Sequence, residues 1–304
     1  MGSAIADEAT PTQTSSVGWV SARQALIAWA AIVVASDFDS IAAHLLGTSA
    51  PTWHFSIAKA VVLCVMALSV RVLASTPSYL DRFIWVLAAL VAGDSVAGRI
   101  QAHVGWFQTA SHAQRMFAGV FLSFIPAIIA ALTLFRSGFT RKDVFLATGD
   151  LRASTRLPFL RGTRWNVVAP ILLIAISSTL LVQLWIVSNA SNHFRPGMLL
   201  AALAPAVVFA ALNAFSEEFR FRCLLLAYGS RFMGVAQAIT ATSVLFGLAH
   251  FGGHPSGFSG VAMAAFFAWI VARSMVDTRG LGWAWSLHFI QDVIIFLMVA
   301  MTGV

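Results

Sequence analysis

Long apolar stretches separated by short polar connections run through almost the whole chain. A membrane-spanning helix needs about 20 mostly apolar residues. Stretches of this kind lie at residues 19–36, 54–74, 82–103, 113–135, 165–188, 197–229, 232–251, 257–276 and 281–301. The chain shows neither strand-like alternation nor an internal repeat. The pattern therefore predicts an all-α fold, a polytopic transmembrane helical bundle of about eight to nine spans.

The composition supports this prediction and excludes a soluble domain on a single anchor. Hydrophobic residues make up 59% of the 304 positions and charged residues only 10%, whereas a soluble domain carries about 25% charged residues. The shortage of charge extends over the whole chain after a polar N-terminal tail at residues 1–18. The net charge of +7 is placed between apolar spans, which indicates membrane topology and no nucleic-acid partner.

Residues 136–164 form the longest polar connection, and we call them the basic loop. They carry seven of the 19 Lys and Arg residues, so the positive-inside rule predicts that the loop is cytoplasmic. Counting spans forward places the later connections around Arg231 and Arg279 on the same side. The loop separates an N-terminal transmembrane bundle, residues 19–135, from a C-terminal transmembrane core, residues 165–304.

The usage of basic residues suggests where the protein is found. Only two of the basic residues are lysines, and alanine and arginine are frequent, which is typical of a GC-rich bacterial genome. We therefore expect an integral protein of a bacterial inner (plasma) membrane.

Two adjacent glutamates interrupt one of the apolar stretches. Ionisable residues inside a membrane are costly, rare and usually functional. Glu217 and Glu218 lie in the sequence NAFSEEFRFRCLLL. Residues four apart share a helix face, so Glu218 is expected to pair with Arg222, while Glu217 points elsewhere and stays available to a cavity.

Further polar residues follow in two later stretches at the same four-residue spacing. Phe246 and His250 form one such pair, and His288 and Asp292 form another. At 1.5 Å per residue, the glutamates and His250 lie at similar distances from the turn between their helices. Three helices can therefore direct polar groups into one intramembrane cavity, with Phe246 as a wall.

The three motifs, EExxxR at 217–222, FxxxH at 246–250 and HxxxD at 288–292, together resemble the CPBP family. These are the CAAX protease and bacteriocin-processing proteins, which include the Ras-converting CAAX endopeptidases. The resemblance covers roughly residues 165–304 and implies a helical intramembrane endopeptidase. It implies that Glu217 with His250 activates a water, and that His288 with the residue four positions later stabilises the oxyanion. Glu218 and Arg222 would hold the site together.

Two residues depart from the family pattern. Asp292 stands where the family often has Asn, and an ionised Asp cannot donate a hydrogen bond to an oxyanion. Either it is protonated, or it orients His288, which is the interpretation we favour. Cys223 stands where Gly commonly follows the arginine. Cys223 as a nucleophile with His250 is a possible alternative, although a lone cysteine in an apolar helix is usually a packing residue.

A metal requirement stays open at this stage, because the family has been described both as metal-dependent and as glutamate-type. If zinc is present, Glu217, His250 and His288 would be its ligands. The four-residue spacing of His250 and His254 also suits zinc on a helix, but the nearby glycines and Pro255 oppose an unbroken helix there.

The function predicted from these residues is hydrolysis of a peptide bond in or near the bilayer. The expected partners are membrane lipid and a peptide or protein substrate, with lipidated or C-terminal substrates implied by one branch of the family. A proton-coupled membrane carrier and a non-catalytic peptide-binding or immunity scaffold are the alternatives. In the N-terminal bundle, Asp94, Arg99 and His103 suggest a buried pair or a span end without chemistry.

Overall fold

The structure is a computed structural model that describes residues 16–49, 53–74, 78–110, 112–136, 138–158, 160–187 and 194–302. These residues form helices and no named strand, apart from an isolated antiparallel bridge between Ser154 and Arg164. The all-α prediction is therefore confirmed. Most of the predicted polar tail, residues 1–15, lies outside the described residues.

The helices follow the predicted apolar stretches in order. Their bounds are α1 Ser16–Ala35, α2 Phe38–Leu45, α3 Trp53–Ala74, α4 Tyr79–His103, α5 Gly105–Thr109, α6 His112–Arg136, α7 Trp165–Val187, α8 Leu199–Glu218, α9 Val235–Leu248, α10 Gly257–Thr278 and α11 Gly282–Thr302. A 3₁₀ turn, Pro196–Met198, precedes α8. A π-helical segment, Phe219–Leu226, and a last turn, Ala227–Gly229, continue it.

Fewer helices are long enough to span a membrane than the eight or nine predicted. The described residues contain six such helices, or seven if α1 and α2, bent by 58° at their junction, form one broken span. The apolar parts of α6 and α9 are only Ala118–Leu132 and Val235–Leu248. Apolar sequence extends past the end of α9, but the glycine-rich connection after it leaves the helix, which accounts for the shorter element.

The two halves of the bundle pack on a shared core. In the N-terminal half α4 packs against α1, α3 and α6, while in the C-terminal half α8 lies along α11 and α9 along α10. Buried side chains from both halves form one apolar cluster, which includes Ile32, Phe83 and Leu134 from the first half and Leu225 and Met275 from the second. The halves are thus in direct apolar contact.

The basic loop is fastened to the turn between α10 and α11, and we call this contact the clasp. The backbone N–H of Asp150 donates to the Thr278 carbonyl at 2.8 Å, and that of Leu281 donates to the Ala147 carbonyl at 2.7 Å. Gly149 has φ +79°, and a Cβ there would lie 2.6 Å from the Thr278 carbonyl oxygen. The close approach and the positive φ both require glycine at this position.

Candidate active site

The paired glutamates lie at the junction of α8 and the π-helical segment. Glu218 is the last residue of α8, and Arg222 lies in the π-helical segment that follows. Arg222 Nη1 is 3.3 Å from Glu218 Oε1, and both side chains are completely buried. The predicted pairing of these two residues is confirmed. π-Helical turns inside α-helices are rare and frequently mark functional sites.

Phe246 separates the buried arginine from the histidines. The Arg222 guanidinium lies over the Phe246 ring at 4.4 Å from its centroid. On the other side, the ring centroids of Phe246 and His250 are 4.3 Å apart. A cation held over an aromatic face is stabilised by the ring quadrupole, so Phe246 supports Arg222 as well as forming a cavity wall.

His288 contacts both glutamates from α11. Its Nδ1 is 2.7 Å from Glu218 Oε1, and its Nε2 is 3.5 Å from Glu217 Oε2. Its side chain is only 5% exposed. Since the carboxylate of Glu218 is held by Arg222, it fixes the ring of His288 in one orientation, as the second partner of an active-site histidine commonly does.

His250 lies just beyond the C-terminus of α9, in the connection to α10. Its Nδ1 is 2.8 Å from the backbone carbonyl of Phe246. A carbonyl can only accept, so Nδ1 carries a proton and Nε2 faces the site. Nε2 is 3.9 Å from Glu217 Oε2, and the two side chains are 28% and 23% exposed. This gap leaves both groups accessible.

Asn213 is a site residue that the sequence analysis missed. Its side-chain N–H₂ donates to Glu217 Oε1 at 3.2 Å and to Asp292 Oδ2 at 3.1 Å. Asp292 Oδ1 is in turn 3.7 Å from His288 Nε2. One amide thus bridges two carboxylates. The available signal was its position four residues before Glu217, on the same helix face.

A cavity of about 80 Å³ borders the histidines. Its polar wall contains His250, His288, Gln291 and Asp292. The opposite wall is apolar. That wall comprises Ile176, Leu180, Met263, Ala264, Phe267 and Ile295. A polar patch facing an apolar wall is the usual form of a site that orients one polar group of a largely apolar ligand.

The zinc hypotheses gain no geometric support. Among the described residues, no group of three or more His, Cys, Asp or Glu side chains is arranged to hold a metal ion. His254 lines the cavity, but α9 ends at Leu248, so His250 and His254 do not share a helix. Cys223 is completely buried in the apolar core.

Of the two alternatives for Asp94, Arg99 and His103, the structure shows a span end, since α4 ends at His103, and no pair of Asp94 with Arg99 among the described residues. Asp94 forms an ion pair with Arg220 of the π-helical segment. The Arg99 guanidinium lies over the Trp53 ring instead, 4.3 Å from its centroid. The partner of Asp94 is 126 positions away along the chain, so local spacing could not identify it.

The family model described as type II CAAX prenyl endopeptidase Rce1-like matches residues 199–294. This range contains the polar residues of the site, from Asn213 to Asp292. No curated protein and no solved structure shows a significant match to the chain.

The match and the long apolar helices together indicate an integral membrane protein. The match also agrees with the resemblance carried by the three motifs. Residues 199–294 are thus similar to the Rce1-like type II CAAX prenyl endopeptidases.

Proposed function

We propose that the protein is an intramembrane endopeptidase in which Glu217 activates the attacking water. The observation that carries this proposal is the position of Glu217 Oε2, which is 3.5 Å from His288 Nε2 and 3.9 Å from His250 Nε2. Among the described residues this oxygen accepts no hydrogen bond. It therefore has a free lone pair where a general base needs one.

The attacking water would bind between Glu217 and His250. His250 Nε2 accepts one of its hydrogens, because Nδ1 holds its own proton against the Phe246 carbonyl. Glu217 removes the second hydrogen as the water oxygen attacks the peptide carbonyl carbon. The same carboxyl group then returns the proton to the leaving amine nitrogen, so protons balance over the reaction.

His288 would donate to the oxyanion that forms during this attack. Its Nδ1 is bound to the Glu218 carboxylate, so its Nε2 must also carry a proton in order to donate. The carboxylates of Glu217, Glu218 and Asp292 all lie within 3.7 Å of the ring nitrogens, which provides charge partners for an imidazolium. Preorganised donors of this kind are usually the largest catalytic contribution.

Asp292 would act as a positioning residue. Its Oδ2 accepts a hydrogen bond from Asn213, and its Oδ1 lies 3.7 Å from His288 Nε2. Both contacts suit a carboxylate that orients the imidazole. They support the second of the two roles considered for this departure from the family pattern.

The partners proposed for this reaction are membrane lipid and a peptide or protein substrate associated with the membrane. The family description names prenylated CAAX substrates for the matched proteins. Whether this chain shares that substrate depends on which membrane face admits the peptide.

The decisive experiment compares protein termini in native membranes that contain wild type, Glu217→Gln or Asp143→Asn. Asp143 lies in the basic loop and serves as the matched control. We expect Glu217→Gln to lower cleavage by about 10²–10⁴-fold, the usual contribution of general acid–base catalysis. Asp143→Asn should leave cleavage unchanged. If a folded Glu217→Gln variant keeps the wild-type termini, the carrier or scaffold alternative replaces the protease.

Metal removal tests the glutamate-type mechanism separately. Purified protein is dialysed against a chelator and assayed on a substrate identified by the termini. A glutamate-type mechanism predicts unchanged activity. Loss of activity that returns on addition of zinc would instead establish a metal-dependent site.

A further inference from the structure

We propose that the substrate enters from the membrane face opposite the basic loop, so that the protease cleaves segments exposed outside the cytoplasm. This inference rests on the proposed function and specifies the substrate class of the same site. It follows from the distribution of charge between the two ends of the bundle and from the end toward which the cavity extends.

One end of the bundle, the basic end, carries most of the positive charge. The clasp brings the basic loop to the α10–α11 turn, and an ion pair of 3.1 Å joins Asp143 of the loop to Arg231 in the α8–α9 turn. Hydrogen bonds from the Thr140 side chain and backbone hold the pKa of Asp143 below its ordinary value, so this carboxylate is ionised beside Arg231. All three basic connections therefore lie together.

The charge asymmetry between the two ends is large. Twelve of the 19 Lys and Arg residues lie in the connections of the basic end or within six residues of the helix ends that lie there. They are Arg71, Arg82, Arg136, Arg141, Lys142, Arg152, Arg156, Arg161, Arg164, Arg231, Arg273 and Arg279. The other end has four: Lys59, Arg99, Arg115 and Arg195. Such a bias predicts that the basic end is cytoplasmic.

The cavity belongs to the other end. His254, Pro255 and Gly260, which line it, come from the α9–α10 connection and the first turn of α10. That connection lies at the end of α9 that points away from the α8–α9 turn with Arg231. The cavity therefore extends from the histidines toward the face opposite the basic loop.

The space between the site and the basic end is filled by apolar side chains. Cys223, Leu225, Met275 and Ala284 are all completely buried, and they belong to the one core cluster that joins the halves. A peptide arriving from the basic end would have to displace this core. A peptide arriving from the opposite end would meet the cavity first.

The substrate class follows from the direction of the cavity and from the apolar core that fills the space between the site and the basic end. A CAAX sequence is a lipidated C-terminal tail, and such a tail in the cytoplasm would lie on the closed side. The accessible peptides are extracytoplasmic segments next to a membrane anchor. An apolar side chain beside the scissile bond would fit the wall formed by Leu180, Met263 and Phe267.

Cysteine labelling tests the orientation. Cys64 and Cys223 are replaced by alanine, and either Ser256→Cys or Thr163→Cys is introduced. Both positions are exposed; Ser256 lies near the cavity mouth and Thr163 in the basic loop. In intact cells a membrane-impermeant maleimide should label Ser256→Cys at least tenfold more than Thr163→Cys, and permeabilisation should equalise them. The reverse ratio in intact cells overturns the proposal.

A pair of reporter substrates separates this inference from the proposed function. Each carries one cleavable segment from the identified termini, placed on the outer or the cytoplasmic side of a single anchor. Glu217-dependent cleavage of the outer reporter alone is expected, and cleavage of the cytoplasmic reporter alone overturns the entry face. If neither is cleaved while the labelling is as expected, the orientation holds and the protease function fails.

Discussion

The N-terminal bundle and the C-terminal core use their buried polar residues differently. Within the N-terminal bundle, Asp81 and Ser78 cap the start of α4, and Lys59 pairs with Asp39 of α2, 20 positions away, at 3.0 Å. In the C-terminal core, Glu218 and His288 meet across 70 positions. Groups from three separate parts of the chain converge there.

This difference distinguishes polar groups that stabilise the helices from polar groups that are placed to react with a substrate. The cap of α4 and the pair of Lys59 with Asp39 each join only two side chains. In the core, Glu217 Oε2 accepts no hydrogen bond among the described residues, although it lies between two histidines. Convergent, incompletely satisfied groups in a cavity are typical of active sites.

Two arginines only two positions apart provide the strongest test of this distinction. Arg222→Leu leaves Glu218 buried without its cation, which should destabilise the protein by about 3–5 kcal/mol. Arg220→Leu breaks the pair with Asp94, whose side chain is 48% exposed, and should cost about 1 kcal/mol or less. Thermal unfolding in detergent measures both.

A double variant controls for the loss of volume and shape. Arg222→Leu with Glu218→Leu removes both buried charges and should fold better than Arg222→Leu alone, yet remain inactive. Equal destabilisation by the two single variants would contradict the distinction between core and bundle.

Two glycines at helix contacts, one in each half, provide a second test of the difference between the N-terminal bundle and the C-terminal core. A Cβ at Gly247 would lie 2.6 Å from Ala265 Cβ, and one at Gly93 would lie 2.1 Å from Pro126 Cβ. Replacing either with alanine should force its helices apart at a cost of about 1–3 kcal/mol. Only Gly247→Ala should also lower the cleavage rate of the folded fraction, because His250 follows three residues later. A similar loss of activity in Gly93→Ala would show that both halves shape the site.

Asn213 should affect the rate more than stability. Asn213→Ala removes the bridge between Glu217 and Asp292 and should lower kcat by roughly tenfold, as expected for a hydrogen bond to charged groups of about 1.5 kcal/mol. KM should change little. Asn213→Asp should be worse, since it adds a carboxylate beside two others. Steady-state cleavage of a peptide substrate measures these changes, and wild-type kcat in Asn213→Ala would remove this residue from the site.

Cys223 should have the smallest effect. It is completely buried and packs in the core, so Cys223→Ala should keep cleavage within about twofold of wild type and lose only the packing of a small residue. A loss above a hundredfold in a folded protein would instead favour the cysteine nucleophile.

The sequence predicted those features that depend on local spacing. Apolar length located the helices, and the four-residue spacing identified the contacts of Glu218 with Arg222 and of Phe246 with His250. It did not predict the π-helical segment, because no residue pattern distinguishes one extra residue per turn from an ordinary helix. The contacts of Asp94 with Arg220 and of Asn213 with Asp292 were missed because they join distant parts of the chain. The contact of Asn213 with Glu217 is local, and its four-residue spacing was overlooked.

Helix length explains why the sequence predicted more membrane spans than the structure contains among the described residues. The apolar stretch 232–251 satisfies a composition rule, but its helix has only 14 residues. Residues 249–251, beyond the end of this helix, form the turn that contains His250. Composition alone cannot distinguish an apolar turn that serves a site from the end of a spanning helix.

The clasp joins two parts of the chain that are synthesised at different times. Arg156 of the basic loop and its partner Asp277 are 121 positions apart, and chains grow at about 5–20 residues per second. The turn that the loop binds is therefore synthesised on the order of ten seconds after the loop. The next helix to be made is α11, which carries His288 and Asp292. In the proposed mechanism, the nascent chain therefore stays inactive until α11 is inserted.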